Sequence, residues 1–334
     1  MNAAPLRKDD FTQADEVPAP AGIADAPYGS QNPVVNRKLP PIKLPSGRAL
    51  FDAVWPAAAG IFGFLALWAM LAPMVKTSLG TLPGPGDVWN AFTGLMTEAA
   101  ATRAEAAAAK AAGSTYTGPP SFTDQIFTSL QTVALGFVLA TIAAVPLGLV
   151  AGMSKRFNAA INPLVQIMRP VSPLAWLPIV TMVVSALMSS GDDSVLPKSF
   201  VISAIVVMLC SLWPTLINTA IGTASIDKDL INVGRVLKLS AMQQLTRLVL
   251  PSSLPYIFTG MRLSLGTGWM VLIAAEMLAQ NPGLGKFVWD EFQNGNEKSL
   301  ARIMVAVVVI GLIGFALDRI MMALQAFVSR NRTF

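Results

Sequence analysis

The chain has 334 residues, of which 53% are apolar and only 13% charged, and its formal net charge is +5. A mean hydropathy of +0.56 indicates a polytopic membrane protein rather than a soluble domain or a nucleic-acid-binding protein. The absence of histidine excludes histidine-based catalysis, a histidine-ligated metal and a histidine pH switch. The single cysteine, Cys210, cannot form an internal disulfide, and we interpret it as a small buried hydrophobic side chain.

The N-terminal segment, residues 1–49, predicts a disordered cytoplasmic tail. It is rich in Pro, Ala and Asp and has no apolar run, so it lacks the hydrophobic region of a signal peptide. A short interfacial helix is predicted near Leu44–Asp52. Residues 50–125 are predicted to hold the first transmembrane helix and a periplasmic helical excursion, and residues 126–330 the core permeation domain.

Six apolar segments are candidate membrane spans, because a helix needs about 20 apolar residues to cross a bilayer. They are residues 54–75, 125–154, 157–191, 199–226, 256–279 and 303–317. Charged residues occur only in the third, which contains Arg169, and in the fifth, which contains Arg262 and Glu276. The predicted fold is therefore all-α, with six transmembrane helices.

The distribution of basic residues predicts the orientation of the chain. If the N-terminus is cytoplasmic, the inner segments hold fifteen Lys and Arg residues and the outer segments seven, together with nine acids. We therefore expect both termini in the cytoplasm, which requires an even number of spans.

The connection after the first span is predicted to form an exposed helix outside the membrane. Residues 98–110 are alanine-rich with spaced charges, which favours helix. Four charges in these thirteen residues argue against another span. Gly113-Ser114 and Gly118-Pro119-Pro120 are expected to end the helix.

Residues 226–255, between the fourth and fifth spans, form a charged amphipathic connection. Leu230, Val233 and Leu237 recur at helical spacing. Leu239-Ser240 predicts a break, and Ala241 to Leu250 a second short helix that Pro251 and Pro255 end. From periodicity alone, a loop helix lying on the membrane explains the pattern equally well.

This connection resembles the EAA loop of ABC-transporter permease subunits. In that pattern Glu-Ala-Ala is followed by three residues, Gly, nine residues, and then an aliphatic residue, any residue and Leu-Pro. Here Asn232-Val233-Gly234 stands at Glu-Ala-Ala, Lys238 at the glycine, and Leu248-Val249-Leu250-Pro251 at the end. The missing glutamate and glycine depart from the pattern, in the manner of the nitrate, nitrite and bicarbonate branch.

Three further stretches are similar to the nitrate, sulfonate and taurine permease group, and the resemblance covers roughly residues 120–330. They are residues 169–178, 268–278 and 283–290. The Trp289-Asp290 ending and Leu317-Asp318-Arg319 look closest to the nitrate branch.

The resemblance implies the permease of a type I importer in a bacterial inner membrane, in which two short helices dock on a cytoplasmic ATPase. The implied ATPase-coupling residues are Asn232, Val233, Gly234, Arg235, Leu237, Lys238, Leu239 and Pro251. Residues 283–286, Gly-Leu-Gly-Lys, do not have the spacing of a phosphate-binding loop. ATP and Mg²⁺ are therefore expected on the ATPase, and this chain is expected to hold no catalytic residue, metal or cofactor.

The other expected partners are an external substrate-binding protein, either periplasmic or lipid-anchored, a second permease copy, and membrane lipids. A homodimer is expected, although a close paralogue is the alternative.

Candidate pathway residues are the polar and aromatic side chains of the third and fifth spans. They are Ser172, Trp176, Thr181, Arg262, Trp269 and Glu276. Four prolines interrupt the third span, and broken helices in membranes usually face protein or water, but a kink needed only for packing is the alternative.

The charged candidates also have two interpretations each. Glu276 either lines the outer part of the pathway or holds a neighbouring helix by hydrogen bonds. Arg169 and Arg262 either attract an anion or extend to lipid headgroups.

The preferred hypothesis is a permease for nitrate or nitrite; taurine and other sulfonates, cyanate and bicarbonate are the rival cargoes. A secondary transporter would favour internal repeats and several buried acids. A non-transporting membrane anchor would not need the broken third span.

Overall fold

The computed structural model describes residues 47–77, 80–188 and 196–330. The predicted tail lies outside the described residues except for its last three positions. The chain divides into two units, Met1–Ala57 and Ala58–Phe334, and the boundary falls within the first helix.

The first helix, α1, is Gly47–Leu71, and a 3₁₀ turn, Ala72–Met74, follows it. The short helix predicted near residues 44–52 is helical over its described residues, and it continues into the first span because residues 47–71 form one helix. No turn-forming residue separates the short helix predicted near residues 44–52 from the first predicted span, residues 54–75. Pro56 lies inside the helix and removes only one helical hydrogen bond.

A two-stranded antiparallel sheet, β1 (Lys76–Thr77) and β2 (Gly80–Thr81), leads to the long helix α2, Pro85–Ala111. The backbone N–H of Gly84 donates to the Asp87 carboxylate at 2.9 Å, which caps the start of α2. The predicted helix at residues 98–110 is confirmed, and it begins thirteen residues earlier than expected.

Three long helices form the core of the second unit: α3 (Phe122–Met153), α6 (Lys198–Ala224) and α9 (Leu250–Ala279). Small residues on α3 let it approach α6 closely. They recur every fourth position, at Gly136, Ala140, Ala144, Gly148 and Gly152. A Cβ at Gly148 would lie 2.6 Å from the Thr219 Cβ, so only glycine fits at this crossing.

The α6 and α9 helices are joined by hydrogen bonds beside a proline of α6. Pro214 lies inside α6, where it interrupts the helical hydrogen-bond ladder. The Ser264 hydroxyl of α9 accepts a hydrogen bond from the Thr215 N–H at 3.1 Å and donates to the Ser211 carbonyl oxygen. A side chain of one helix therefore supplies partners to backbone groups beside the proline of the other.

The predicted third span is two helices, α4 (Lys155–Met168) and α5 (Pro173–Leu187), bent by 102°. The expected interruption of this span is confirmed. Arg169–Ser172 form the break, which contains Pro170, and Pro173 begins α5. Five described helices are long and apolar enough to cross a membrane, and the α4–α5 pair gives a sixth if it counts as one span.

Between α6 and α9 lie α7 (Lys228–Val236), the single-turn α8 (Ala241–Gln244) and a π-helical turn, Leu245–Val249. The prediction that Pro251 and Pro255 end the second short helix is wrong, because helix continues from Ala241 to Ala279. Pro251 lies in the first turn of α9. Proline is tolerated there because the first turn of a helix does not need every backbone N–H. The π-turn before it also changes the spacing of the backbone hydrogen bonds.

The last helices are α10 (Leu284–Asn294) and α11 (Glu297–Arg330). The candidate span within α11 covers Lys298–Val328, which is longer at both ends than the predicted span. On either side of the predicted apolar run, Arg302 and Asp318 pair with residues of neighbouring helices.

Candidate functional site

The segment from α7 to α8, which we call the coupling hairpin (residues 228–244), has well-defined caps. The Asp227 carboxylate accepts a hydrogen bond from the Asp229 N–H at 3.0 Å, which caps α7. The Ser240 hydroxyl accepts from the Gln243 N–H at 3.3 Å, and the Gln243 side chain accepts from the Ser240 N–H at 3.0 Å. This reciprocal capping box sets the start of α8 immediately after the predicted break.

The turn between α7 and α8 requires a left-handed residue, and Lys238 supplies it with φ +51°. The Lys238 N–H donates to the Arg235 carbonyl oxygen at 2.9 Å, and the Leu239 N–H donates to that of Gly234 at 3.0 Å. This pair of bonds is a Schellman motif, which normally has glycine at the left-handed position. The lysine stands at the position where the EAA pattern has glycine, so the backbone conformation survives the departure from the pattern.

The coupling hairpin leaves apolar side chains exposed. Val236 is 81% and Leu237 65% exposed, and Val233 and Met242 are also exposed. The predicted Asn232, Arg235 and Lys238 are exposed too, and Leu239 is half-buried. Val236 and Met242 are not among the residues predicted from the sequence, and the structure shows that both are exposed.

Gly234 has a packing role within the coupling hairpin. It is buried, and a Cβ there would lie 2.7 Å from Leu248 Cδ1. A side chain at Gly234 would therefore displace the end of the Leu248 side chain in the π-turn.

The candidate pathway residues on α5 lie near the break. The Ser172 hydroxyl accepts a hydrogen bond from the Leu174 N–H at 3.3 Å and caps α5. Trp176 packs against an apolar cluster that includes Val180 of α5 and Val271 of α9. Thr181 is half-buried. The cluster brings α5 against the helix that carries the other three candidates.

Two of the candidates on α9 connect it to α11. Arg262 forms a bidentate ion pair with Asp318, with Nε–Oδ1 and Nη2–Oδ2 distances of 2.5 and 3.1 Å. The buried Trp269 indole donates to the Ile310 carbonyl oxygen at 3.0 Å. Both side chains line a cavity of about 230 Å³ between the helices. The partner of Arg262 was missed, although Asp318 is the one acid in the C-terminal apolar region of the sequence.

Glu276 is fully buried at the end of α9. Its two carboxylate oxygens lie 2.9 and 2.8 Å from the Ser129 hydroxyl of α3. The Gly285 N–H, in the first turn of α10, donates to Oε2 at 3.0 Å. The Ser129 hydroxyl oxygen accepts in turn from the Leu284 N–H at 2.8 Å. The carboxylate therefore joins three helices and meets the positive end of the α10 dipole.

The glycines of residues 283–286 create the space for this carboxylate. A Cβ at Gly283 would overlap the Glu276 carboxylate, and a Cβ at Gly285 would overlap the Ile273 carbonyl oxygen. The Gly-Leu-Gly sequence thus packs around the Glu276 side chain of the same polypeptide.

An ionic cluster joins α2, α10 and α11. Arg302 of α11 contacts Glu98 of α2 and lies 2.8 Å from Glu291 of α10. The Ser299 hydroxyl donates to Glu291 at 3.0 Å. Among the described residues, no group of three Cys, Asp or Glu side chains is placed to hold a metal ion.

The comparisons with known proteins identify the class. Residues 144–332 match the family described as binding-protein-dependent transport system inner membrane component. The bicarbonate transport system permease protein CmpB of Synechococcus elongatus is 35% identical over 292 residues, which are 87% of this chain and 95% of that protein. The chain therefore belongs to this family of ABC-importer permeases, and the predicted all-α fold and permease class are confirmed.

Nitrate permeases are also similar. The nitrate import permease protein NrtB of Synechococcus elongatus is 39% identical over 196 residues, 59% of this chain and 66% of that protein. This chain thus spans just under two thirds of that relative. Among solved structures, a chain of the MetNI methionine ABC transporter is 18% identical with a TM-score of 0.48, over 60% of this chain and 95% of that one.

Proposed function

We propose that this chain is the membrane-spanning subunit of an ATP-driven importer for nitrate or nitrite in a bacterial inner membrane. The observation that supports nitrate as the transported anion is the 39% identity with a nitrate import permease. The family identification favours this class over a secondary transporter or an anchor. The second candidate cargo is bicarbonate, because the similarity to the bicarbonate permease extends over 95% of that protein.

ATP hydrolysis in this proposal occurs on a separate ATPase that docks on the coupling hairpin. Support comes from the apolar residues Val236 and Leu237, which are exposed in the isolated chain and which an apolar groove of a partner would cover. An external binding protein delivers the anion, and two permease copies assemble with both termini in the cytoplasm.

Cargo is tested with the complete transporter, that is, this chain with its ATPase and binding protein, in proteoliposomes. We expect ATP-dependent uptake of labelled nitrate that competing nitrite reduces and taurine does not. Uptake of bicarbonate but not nitrate would select the second candidate. Uptake of taurine alone would contradict both.

Docking is tested in the same preparation with Val236→Asp and Leu237→Asp. Each places a charge in the proposed contact, and we expect nitrate uptake and co-purification of the ATPase to fall at least about tenfold, as for the loss of one central contact. The matched control, Ala104→Asp on the exposed side of α2, introduces the same residue outside the coupling hairpin and should retain the ATPase. Normal uptake and ATPase retention in the Val236 and Leu237 variants would exclude docking at this surface.

A further inference from the structure

Arg169 lies at the bend between α4 and α5 and has no charged partner within the described residues, whereas Arg262 in the fifth span is paired with Asp318. Its side chain is exposed. An unpaired guanidinium within an apolar segment is costly in a bilayer unless an anion, water or a headgroup reaches it. The two arginines therefore have different requirements, and only Arg169 is available to an external anion.

Among the residues that the structure describes, those around Arg169 include polar side chains and no acid. A cavity of about 540 Å³ is lined by Asn162, Gln166 and Arg169, together with Val165, Pro170 and Ile217. Asn162, Gln166 and Arg169 recur at intervals of four and three residues, which places them along one side of α4 and its end. The cavity thus offers a guanidinium and two amide groups, which are all hydrogen-bond donors.

The wall behind these groups is fixed by packing. Val165 is buried in an apolar cluster with Ala144 of α3 and Leu216 of α6, and Ile217 packs against it. Leu164 and Ile167 of α4 are exposed. The helix thus has an anchored side, a polar side and an exposed apolar side, as expected where a helix lies at the boundary between hydrocarbon and water.

We propose that Arg169, Asn162 and Gln166 form a binding site for an oxygen anion at the break of the third span. The guanidinium would bind two oxygens of one group, which a planar fork does well, and the amides would donate to the remaining oxygens. The occupant is either the phosphate of a lipid headgroup or the transported oxyanion. The second source rests on the proposed function.

The lipid source is tested by native mass spectrometry of the complete purified transporter with phosphatidylglycerol. The variants are Arg169→Gln, Arg169→Lys and Arg103→Gln, which removes an exposed arginine of α2 outside the spans. If a headgroup occupies the site, Arg169→Gln loses one retained phosphatidylglycerol per permease chain. Arg169→Lys keeps most of it, and Arg103→Gln keeps all of it.

The cargo source is tested by nitrate uptake in liposomes of phosphatidylcholine alone, which offer no anionic headgroup. If the transported anion uses the site, Arg169→Gln reduces uptake about tenfold or more, Arg169→Lys restores part of it, and ATPase co-purification stays unchanged. If only a headgroup uses the site, Arg169→Gln equals the unmodified protein in this lipid. Adding phosphatidylglycerol then changes uptake by the unmodified protein but not by the variant.

The proposed site would be contradicted if Arg169→Gln retained as much phosphatidylglycerol as the unmodified protein and also matched its nitrate uptake in both lipid compositions. Equal loss in Arg169→Gln and Arg103→Gln would also overturn it, because the effect would then come from total charge. If the unmodified protein carries no nitrate, the proposed cargo fails, but lipid retention still decides whether the site exists.

Discussion

Glu276 illustrates how a single buried carboxylate can serve structure within a transport protein. It accepts hydrogen bonds from the Ser129 hydroxyl and from the Gly285 N–H, and no solvent reaches it. A carboxylate in this position fixes the start of α10 against α3 and α9. This geometry supports the hydrogen-bonding interpretation of Glu276 over a place on the anion pathway, where its charge would repel the cargo.

We predict that Glu276→Ala destabilises the folded chain by about 2–5 kcal/mol, because it leaves two buried donors unpaired and opens a cavity. Glu276→Gln keeps one acceptor and the volume, so its cost should be clearly smaller. Thermal unfolding of the purified variants in detergent checks the order. The matched control, Glu105→Ala on the exposed side of α2, should be neutral.

The alternative role of Glu276 would give a different pattern. If Glu276 contacts the cargo, Glu276→Gln would change uptake strongly while unfolding stays normal. That result would contradict the structural role.

Lys238 provides a second prediction at the same scale. A left-handed conformation costs a side-chain-bearing residue about 1 kcal/mol relative to glycine. Lys238→Gly should therefore stabilise the end of α7 and slow hydrogen exchange of the Leu239 amide severalfold. Asn232→Gly, in the middle of α7, should do the opposite to the amides of its own helix. Faster exchange at Leu239 in Lys238→Gly would show that the lysine side chain, not the backbone, holds the turn.

Among the elements, the α3–α6 crossing depends on the small residues of α3. Their spacing of four places them along one side of the helix, and α6 packs directly against its backbone there. The tight approach leaves no room for larger side chains, so the crossing fixes the position of both helices within the core.

We predict that Gly148→Ala destabilises the chain by about 1–3 kcal/mol, since its Cβ would meet Leu216 O at 2.7 Å as well as Thr219. The control is Gly63→Ala in α1, where nothing lies within 4 Å of the added Cβ. It should be neutral, or stabilising by about 0.5–1 kcal/mol. Thermal unfolding in detergent compares the two variants, and equal melting temperatures would contradict the close packing.

The continuity of α9 with α8 also matters at this scale. The π-turn Leu245–Val249 joins the coupling hairpin to a membrane-crossing helix without a flexible break. The Ser253 hydroxyl donates to the Val249 carbonyl oxygen at 2.5 Å, which supports the backbone beside Pro251. If force enters at the hairpin, as proposed, this continuous helix connects the hairpin with Arg262, Trp269 and Glu276.

At the scale of the whole molecule, the second unit has polar connections in the middle of α9 and beyond its C-terminal end. In the middle, Arg262 pairs with Asp318 of α11. At the C-terminal end, Glu276 holds α10, and Arg302 joins α10 and α11 to α2. These bonds tie together helices that are far apart in sequence, so movement of α9 would carry α10 and α11 with it.

The amino-acid sequence by itself determined the class of the molecule, the number of apolar segments, the helix outside the spans and the place of the coupling hairpin. These features follow from local properties: apolar length, alanine content, and the spacing of Leu, Pro and capping residues. The break at Pro170 was also readable, because Pro170 and Pro173 stand close together in a segment that holds four prolines.

Only the tertiary structure decided which polar residues meet. Ser129 is separated from Glu276 by 147 positions and Arg262 from Asp318 by 56, and no periodicity relates such partners. The tertiary structure also decided that helix continues through Pro251, because the free-energy cost of the missing proline N–H depends on the turn before it. Pairing and continuity depend on three-dimensional packing, whereas length and hydropathy are already present in the order of the residues.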